Sequence, residues 1–395
     1  MRVLILANRV PFPPDDGWKV RCYHVVRAVA AGAEVTFVVF HAGSDEQLAE
    51  AREELGVDLV AVAPPRRNTP DRLLEGLVSR TPVTVVNGRS RAYSNALRQV
   101  VGSRQFDAAL CVSTIMSPHL RLLPAGLPRV IDTHNIDAVM YGRYAQTLRP
   151  SFRSRYTALT ASKLRSFEKR AFTEADLVWV CSDEEAAIAG RLAPGANVLT
   201  VPNGVDTEHM APLPTPPVPK RLLFFGRLDY FPNVDALTHF AREILPLVSA
   251  MEPDVELDVI GPAATAEVQA LGRQHPAINV RGRVDDVRVA LADAAVVIVP
   301  LRVGGGTRLK IVEALSMAKP TVSTTIGAEG LDLVPGADLL VADTPAEFAA
   351  AIRSLLDDPE RAAQLGAHGR ETVRERYDWR QVGQVIQASL ASLSS

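Results

Sequence analysis

Short apolar runs alternate with helical patterns along most of the chain. Runs such as Val3–Ala7 and Ala294–Pro300 are apolar at nearly every position, as strands covered on both faces must be. A strand, a helix and another strand in succession predict parallel strands with right-handed crossovers. The predicted strands are Val3–Ala7, Glu34–Phe40, Val57–Ala63, Asp107–Val112, Arg129–Thr133, Asp176–Cys181 and Asn197–Val201, then Arg221–Phe225, Val255–Ile260, Ile278–Arg281, Ala294–Pro300, Pro320–Thr324 and Leu339–Val341. The sequence therefore predicts an α/β fold of doubly wound parallel sheets.

The alternation is interrupted once, by a proline-rich segment. At 395 residues the chain is long for one hydrophobic core. Residues 211–219 contain five prolines, which remove backbone donors and fix the backbone, so we predict a linker there. The predicted domains are residues 1–210 and 220–376. A C-terminal helix, residues 377–395, is predicted to pack back on the N-terminal domain.

Composition excludes several classes of protein. The 43 basic and 45 acidic residues leave a formal charge of −2, so nothing in the overall charge favours a nucleic-acid partner. Cys22, Cys111 and Cys181 lie in or beside apolar patterns without metal-ligand spacing, which predicts buried thiols in a reducing compartment. The first apolar run is too short for a signal peptide, and no run reaches the length of a membrane span. We expect a cytoplasmic protein.

One glycine-rich segment predicts an anion site. Residues 304–314, Gly-Gly-Gly-Thr-Arg-Leu-Lys-Ile-Val-Glu-Ala, join a buried strand to a helix, so glycine backbone and free helix N–H groups point at one place. Arg308 and Lys310 add positive charge. Glu313 follows on the helix, where a carboxylate is suited to ribose hydroxyls rather than phosphate. A nucleotide diphosphate fits this pattern, and a glycine-rich turn before a solvated basic helix is the alternative.

Four stretches together resemble the retaining nucleotide-sugar glycosyltransferases of family 4. They are Val201-Pro-Asn-Gly-Val-Asp206, Phe225-Gly-Arg-Leu228, the segment 304–314 with its Glu-Ala ending, and Lys319-Pro-Thr-Val322. The resemblance implies the GT-B fold, in which two Rossmann-like domains face each other across a cleft. It also implies a donor site in the C-terminal domain and an acceptor site in the N-terminal one.

The resemblance assigns donor-binding positions in the second half. They are Gly226, Arg227, Gly305, Gly306, Thr307, Arg308, Lys310 and Glu313. Arg227 is placed at the donor's diphosphate, and a surface arginine is its alternative. The family's nearby lysine is replaced by Pro232-Asn233, so we expect Lys310 or Arg308 to supply the second charge. Of the family's two glutamates, Glu313 fits the second, but the first falls on Gly305.

In the first half, the resemblance singles out His134 after the strand Arg129–Thr133. It implies contact with the sugar or orientation of the reacting groups, so His134, Arg227 and Lys310 are the predicted catalytic residues, with Asp132, Asn135 and Asp137 as weaker candidates. Gly17, Lys19 and Arg21 are predicted on the acceptor side, although solvated charges at a helix start are equally compatible with the pattern. Glu168 matches a recurrent family glutamate, with a helix-packing salt bridge as the alternative.

Basic residues are frequent between positions 149 and 170. Such a helix can touch anionic lipid. A solvated helix face is the preferred interpretation, because the pattern has no broad aromatic or leucine face. A weak association with a membrane surface is the remaining alternative.

The predicted function is metal-independent, cofactor-free transfer of a sugar from a nucleotide diphosphate, with retention, to a hydroxyl acceptor. UDP is expected from the resemblance, with GDP and dTDP as alternatives. No Asp-x-Asp pattern or zinc-ligand spacing occurs. A nucleotide-sugar epimerase or hydrolase of the same fold and a non-catalytic nucleotide-sugar-binding protein are the rival interpretations. A dehydrogenase is disfavoured because Asn8-Arg9-Val10-Pro11 follows the first strand, without a Gly-x-Gly-x-x-Gly.

Overall fold

The computed structural model describes residues 1–148, 150–304 and 308–393. The predicted glycine positions Gly305 and Gly306, and Thr307, lie outside these ranges. The chain divides into two compact units, residues 1–202 with 382–395, and residues 203–381.

The first unit is a seven-stranded parallel sheet in the order β3-β2-β1-β4-β5-β6-β7. Its strands are β1 (Arg2–Ala7), β2 (Glu34–Phe40), β3 (Asp58–Val62), β4 (Ala108–Val112), β5 (Arg129–Asp132), β6 (Leu177–Val180) and β7 (Val198–Thr200). Its helices are α1 (Gly17–Ala30), α2 (Asp45–Leu55), α3 (Pro70–Val78), α4 (Val83–Gly88), α5 (Arg91–Ser103), α6 (Asp137–Thr147), α7 (Phe152–Glu174) and α8 (Asp183–Leu192), with a 3₁₀ helix at Thr114–Leu122.

The second unit is a six-stranded parallel sheet in the order β10-β9-β8-β11-β12-β13. Its strands are β8 (Arg221–Phe225), β9 (Glu256–Ile260), β10 (Ile278–Gly282), β11 (Val296–Val299), β12 (Thr321–Ser323) and β13 (Leu340–Val341). Its helices are α9 (Phe231–His239), α10 (Leu245–Met251), α11 (Ala266–Gln274), α12 (Val287–Asp293), α13 (Leu309–Ser316), α14 (Thr325–Ala328), α15 (Pro345–Asp357) and α16 (Pro359–Arg376), with a π-helical turn at Phe240–Ile244. A last helix, α17 (Trp379–Ala391), begins in this unit and ends in the first.

Both sheets have the doubly wound strand order, in which the chain starts at a central strand, moves outward and then returns to the other side. The central strands are buried along almost their whole length: Val3 to Ala7 of β1 and Val296 to Val299 of β11 are inaccessible to solvent. The continuous apolar runs of the sequence reflect this two-sided covering by helices.

The boundary between the units differs from the predicted linker. The chain leaves the first unit after Pro202, and the proline-rich segment 211–219 belongs to the second unit. Val205 forms a parallel bridge with Asp378, and the N–H of Val218 donates to the carbonyl oxygen of Asp293 at 2.8 Å. The Val218 hydrogen bond holds the proline-rich segment on the second unit, because prolines prevent regular structure but not packing.

Gly204 explains the glycine of the Pro-Asn-Gly-Val-Asp motif. A Cβ at this position would lie 2.7 Å from the carbonyl oxygen of Tyr377 and 2.9 Å from the Trp379 ring.

The return of the chain to the first unit is also later than predicted, after Gln381 instead of at residue 377. Beyond it, Gln387 Nε2 donates to the carbonyl oxygen of Ala28 at 3.0 Å, within the first unit.

Candidate functional site

The end of β8 brings two predicted donor residues of the second unit, Gly226 and Lys310, together with Asn233. Gly226 has a φ of +131°, a conformation that favours glycine. A Cβ there would lie 3.2 Å from Asn233 Nδ2 and 3.3 Å from Lys310 Nζ. The neighbouring Gly261 is still more constrained, since its Cβ would lie 1.8 Å from the carbonyl oxygen of Gly226. Glycines therefore allow polar side chains to approach the backbone at this sheet edge.

Lys310 is held by neutral partners. Its Nζ donates to Asn233 Oδ1 at 2.8 Å and lies 4.2 Å from the centroid of the Phe224 ring. Asn233 Nδ2 in turn donates to the carbonyl oxygen of Arg227 at 2.7 Å. Burial, reinforced by the charge of Arg308, lowers the pKa of Lys310 to about 7, while Glu313 opposes this shift. A bound anion would favour the charged ammonium and raise this pKa again.

Arg227 lies at the surface beside this network. Its Nη2 and Nε donate to the two carboxylate oxygens of Asp229 at 2.7 and 3.1 Å. The side chains of Arg227 and Asp229 are 54% and 39% exposed, and an exposed ion pair contributes little stability. Replacing the Asp229 contact of Arg227 with an anionic ligand therefore costs little.

The segment before α13 adds a second guanidinium. Arg308 is buried directly before the helix, and a Cβ at Gly304 would lie 2.5 Å from its Nη2. The glycine thus permits close contact between the guanidinium and the backbone.

Glu313 lies on α13 one turn after Lys310. Burial raises the pKa of Glu313 to about 7, with the charge of Lys310 acting in the opposite direction. Across the described ranges its carboxylate accepts no hydrogen bond. It is the group of this edge best placed to accept hydrogen bonds from hydroxyl groups of a ligand.

The strand order explains why these residues meet. β8 and β11 are neighbours, but the chain leaves β8 toward β9 on the opposite side. The loops that follow β8 and β11 therefore separate at this point of the sheet, where ligands of open α/β sheets bind. Gly226 and Arg227 follow β8, whereas Arg308 and Lys310 come after β11.

In the first unit, His134 follows β5 and stacks on Trp18, with ring centroids 5.6 Å apart. The Arg9 guanidinium also lies over the Trp18 ring, with its Cζ 4.5 Å from the ring centroid. Burial lowers the pKa of His134 to about 4, although Asp132 opposes the shift. The imidazole is therefore neutral at neutral pH. Trp18 Nε1 and His134 Nε2 are buried and have no hydrogen-bond partner among the described residues.

Arg21 has a different role from the one predicted on the acceptor side. Its guanidinium is fully buried and donates to Asp132 Oδ1 from Nη2 at 2.6 Å and from Nε at 3.0 Å. Its Nη1 donates to the carbonyl oxygen of Val201 at 2.9 Å. The sequence suggested that this side chain faces an acceptor. Instead, Arg21 connects α1 to β5 through Asp132 and to the segment after β7 through Val201.

Gly17 and Lys19 lie at the start of α1. Asp16 caps this helix by accepting from the N–H of Lys19, and it also pairs with Arg9 at 2.8 Å. Lys19 Nζ lies 2.8 Å from Asp15 Oδ1, so part of its charge is neutralised locally. Gly17 and Lys19 therefore lie beside Trp18, at the edge of the sheet where β1 ends.

Glu168 is buried and supports the loop that carries His134. It accepts from the N–H groups of Asp137 at 2.8 Å and Ala138 at 3.1 Å, which begin α6. Burial, together with the nearby Asp137, raises the pKa of Glu168 to about 8. Burial also raises the pKa of Asp137 to about 6. The contact is a helix cap rather than the salt bridge considered from sequence.

Sequence reasoning missed Arg9, Trp18 and Asn233. Arg9 and Trp18 flank the first loop, and an aromatic residue at the start of a helix beside a predicted site was the available signal. Asn233 was noted only as the replacement of a lysine, although it connects Lys310 to Arg227. Among the residues with described positions, no group of three or more His, Cys, Asp or Glu side chains gathers as metal ligands would.

Both halves of the chain match known domain families. Residues 16–204 match the family described as glycosyl transferase 4-like domain, and residues 219–358 match glycosyl transferases group 1. The chain has the GT-B fold of glycosyltransferases. This confirms the predicted fold class of two Rossmann-like parallel-sheet domains. Within the described ranges, no helix of this GT-B chain combines the length and apolar character needed to traverse a lipid bilayer.

Solved structures share the GT-B fold over the whole chain. Sucrose-phosphate synthase from Thermosynechococcus elongatus aligns with a TM-score of 0.72 and 16% identity, covering 100% of this chain and 99% of the other. Anabaena HepE in complex with UDP aligns with a TM-score of 0.69 and 16% identity, covering 99% and 100%. At these identities the similarity establishes the fold.

Curated relatives match a shorter part. D-inositol 3-phosphate glycosyltransferase of Kineococcus radiotolerans is 31% identical over 203 residues, which are 44% of this chain and 46% of that protein. The chain spans about half the length of the curated relatives it matches.

Proposed function

We propose that the chain is a retaining glycosyltransferase that moves a sugar from a UDP-linked donor to a hydroxyl acceptor. One observation carries the proposal: at the switch point of the second sheet, Lys310 Nζ donates to Asn233, and Asn233 donates to the backbone carbonyl oxygen of Arg227, so that Lys310 is held over the glycine backbone and the Arg227 side chain starts beside it. Cations fixed at a strand end where the backbone is open suit a diphosphate.

The donor diphosphate occupies this place in the proposal. When the bond between the anomeric carbon and the phosphate oxygen breaks, negative charge grows on the leaving group. Arg227 and Lys310 then stabilise the transition state more than the bound donor, which is the condition for catalysis. Lys310 Nζ contacts Asn233, one of the residues that replace the family lysine, and this contact supports its assignment as the second charge.

The nucleoside is recognised through Glu313, which accepts hydrogen bonds from the ribose hydroxyls. Glu313 lies one helical turn after Lys310 on α13, so in this proposal the ribose contacts Glu313 while the diphosphate contacts Lys310. UDP is proposed because a structure of the same fold, Anabaena HepE, binds UDP. Side-chain cations serve the diphosphate in this proposal, so we expect that a chelator leaves turnover unchanged.

His134 is proposed to act in the first unit as a neutral hydrogen-bonding group toward the sugar or the acceptor. Its low pKa and its stacking on Trp18 support this role, because a neutral ring can donate and accept. Gly17 and Lys19 are proposed on the acceptor side of the same edge.

The decisive experiment is a thermal-shift screen of nucleotides and nucleotide sugars, followed by measurement of nucleotide release with and without acceptor alcohols. A ligand that binds the native state raises the melting temperature by mass action. We expect a UDP-sugar to do so, and Lys310→Met to remove the shift, while Lys220→Met, at a partly exposed lysine of the same unit that pairs with Glu252, retains it. Release that needs no acceptor would indicate a hydrolase, and binding without release a non-catalytic protein.

A further inference from the structure

Helix α3 presents its apolar side to solvent. Leu73 and Leu77 are each 41% exposed, Leu74 is 59% exposed and Val78 is 74% exposed. At about 100° per residue, these four side chains cover roughly 140° of the helix circumference. A surface helix of a globular protein normally turns such a stripe toward the core. Here the stripe points away from it.

The opposite side of α3 is fixed to the first unit by polar and small residues. A Cβ at Gly76 would lie 2.6 Å from Val83 Cβ, so α3 and α4 touch at a glycine. Arg72 donates to the carbonyl oxygens of Val86 at 2.5 Å and Arg89 at 3.0 Å. Specific contacts therefore hold the helix in this orientation, and rotating it inward would break them.

Lys163 connects α3 to the long helix α7. Its Nζ donates to the carbonyl oxygens of Gly76 at 2.7 Å and Leu77 at 2.8 Å, at the C-terminal end of α3. By the helical period, Phe152 and Leu159 lie on the same side of α7 as Lys163. Phe152 is 78% exposed. The helix that Lys163 joins to α3 therefore also carries exposed apolar side chains.

Exposed arginines lie at both ends of this apolar surface, and one acidic residue, Asp71, is exposed in the first turn of α3. Arg66 and Arg67 precede α3, Arg80 follows it, and all three are exposed. None of the three forms an ion pair within the described ranges. Arg153 on α7 is also exposed and contacts the Tyr144 ring, with its Cζ 6.0 Å from the centroid. Exposed leucines bordered by arginines fit a surface that is apolar inside and negatively charged outside.

We propose that α3, with the adjacent side of α7, binds the surface of an anionic phospholipid bilayer. The leucines would enter the boundary between headgroups and acyl chains, and Arg66, Arg67 and Arg80 would contact lipid phosphates. Because α3 leaves the sheet from the carboxyl end of β3, the surface starts at the same sheet edge as the loop after β1. The inference does not depend on sugar transfer.

Vesicle flotation tests this proposal with the full chain. We expect binding to vesicles of phosphatidylcholine mixed with phosphatidylglycerol and little binding to phosphatidylcholine alone. Leu74→Ser with Val78→Ser should weaken binding on the order of tenfold or more, since apolar insertion supplies much of the affinity. Arg66→Ser with Arg67→Ser should weaken it on the order of tenfold, as each basic residue adds to attraction by anionic lipid.

The matched control is Val289→Ser with Val334→Ser, which removes two valines of similar exposure, 55% and 54%, from the second unit. This variant should bind vesicles like the unaltered chain. Circular dichroism and the melting temperature verify that each variant folds. Equal vesicle binding by the α3 variant and the control would overturn the proposal. Light scattering that shows a dimer lost only in the α3 variant, without vesicle binding, would assign the surface to a second copy instead.

Discussion

The ligand edges of the two units neutralise their charges in different ways. In the first unit, Arg21 and Asp132 are both fully buried and form a two-point ion pair, and Arg9 is held by Asp16. In the second, Lys310 contacts a neutral amide and an aromatic ring, and the partner of Arg227 is exposed. The first edge is thus arranged by its own charges, whereas the second keeps positive charge that an anion can engage. The donor site proposed above therefore lies on the edge whose cations are less completely paired with buried carboxylates.

The largest expected effect concerns the framework. Arg21→Met leaves the Asp132 carboxylate buried without its partner, so we expect a loss of about 3–5 kcal/mol in the free energy of unfolding. Urea denaturation followed by circular dichroism measures this loss. The double variant Arg21→Met with Asp132→Leu removes both charges and should recover most of it. If the single variant keeps full stability, Arg21 is not a framework residue.

The next effect concerns turnover. Arg227→Ala should lower the rate of sugar transfer by roughly 100- to 1,000-fold, as removal of one transition-state donor does in other enzymes. Donor affinity should fall much less. Steady-state kinetics combined with calorimetric binding separates the two quantities. Equal losses would mean that Arg227 binds donor and transition state alike, and Arg283→Ala, at another arginine of the second unit, serves as the control.

A smaller effect is expected for the ribose contact. Glu313→Ala removes the proposed acceptor of the hydroxyl groups, so nucleotide affinity should weaken by about 1–3 kcal/mol in calorimetry. The corresponding deoxyribose nucleotides should already bind weakly to the unaltered chain and lose little more in the variant. Unchanged affinity for UDP in Glu313→Ala would remove this residue from the ribose.

The smallest effect is a change in pH dependence. Because the pKa of Lys310 is about 7 without ligand, donor binding should take up a proton above that pH, and affinity should fall as the pH rises. A nucleotide sugar is the suitable ligand, since its diphosphate ester does not titrate near neutrality. Lys310→Arg keeps its charge and should flatten this alkaline fall, measured as affinity from pH 6 to pH 9. An identical slope in both proteins would contradict the assignment.

Much of the fold follows from local pattern. The predicted strands Glu34–Phe40 and Arg221–Phe225 coincide with β2 and β8, because strands covered on both faces leave continuous apolar runs. The helix expected after the glycine-rich segment is α13, which begins at Leu309. Two of the candidate donor residues, Gly226 and Lys310, do lie together at the end of β8, and their role in binding a donor stays a prediction.

The acceptor-side charges show the limit of this reasoning. Lys19 and Arg21 are two positions apart and had the same interpretation, yet Lys19 pairs with the adjacent Asp15 and Arg21 is buried on Asp132. On a helix, two residues at this spacing point in different directions. Which direction is interior depends on the strands against which α1 packs.

The sequence by itself determined the alternation of strands and helices, the two parallel sheets and the glycine-rich strand ends, since these depend on short-range periodicity and backbone freedom. Only the tertiary structure decided that Asp132 neutralises Arg21 across 111 positions, that Asn233 joins Lys310 to Arg227, and that α3 turns its leucines outward. Such pairings depend on where distant segments meet, and ion pairing, burial and exposure are properties of that meeting rather than of any one segment.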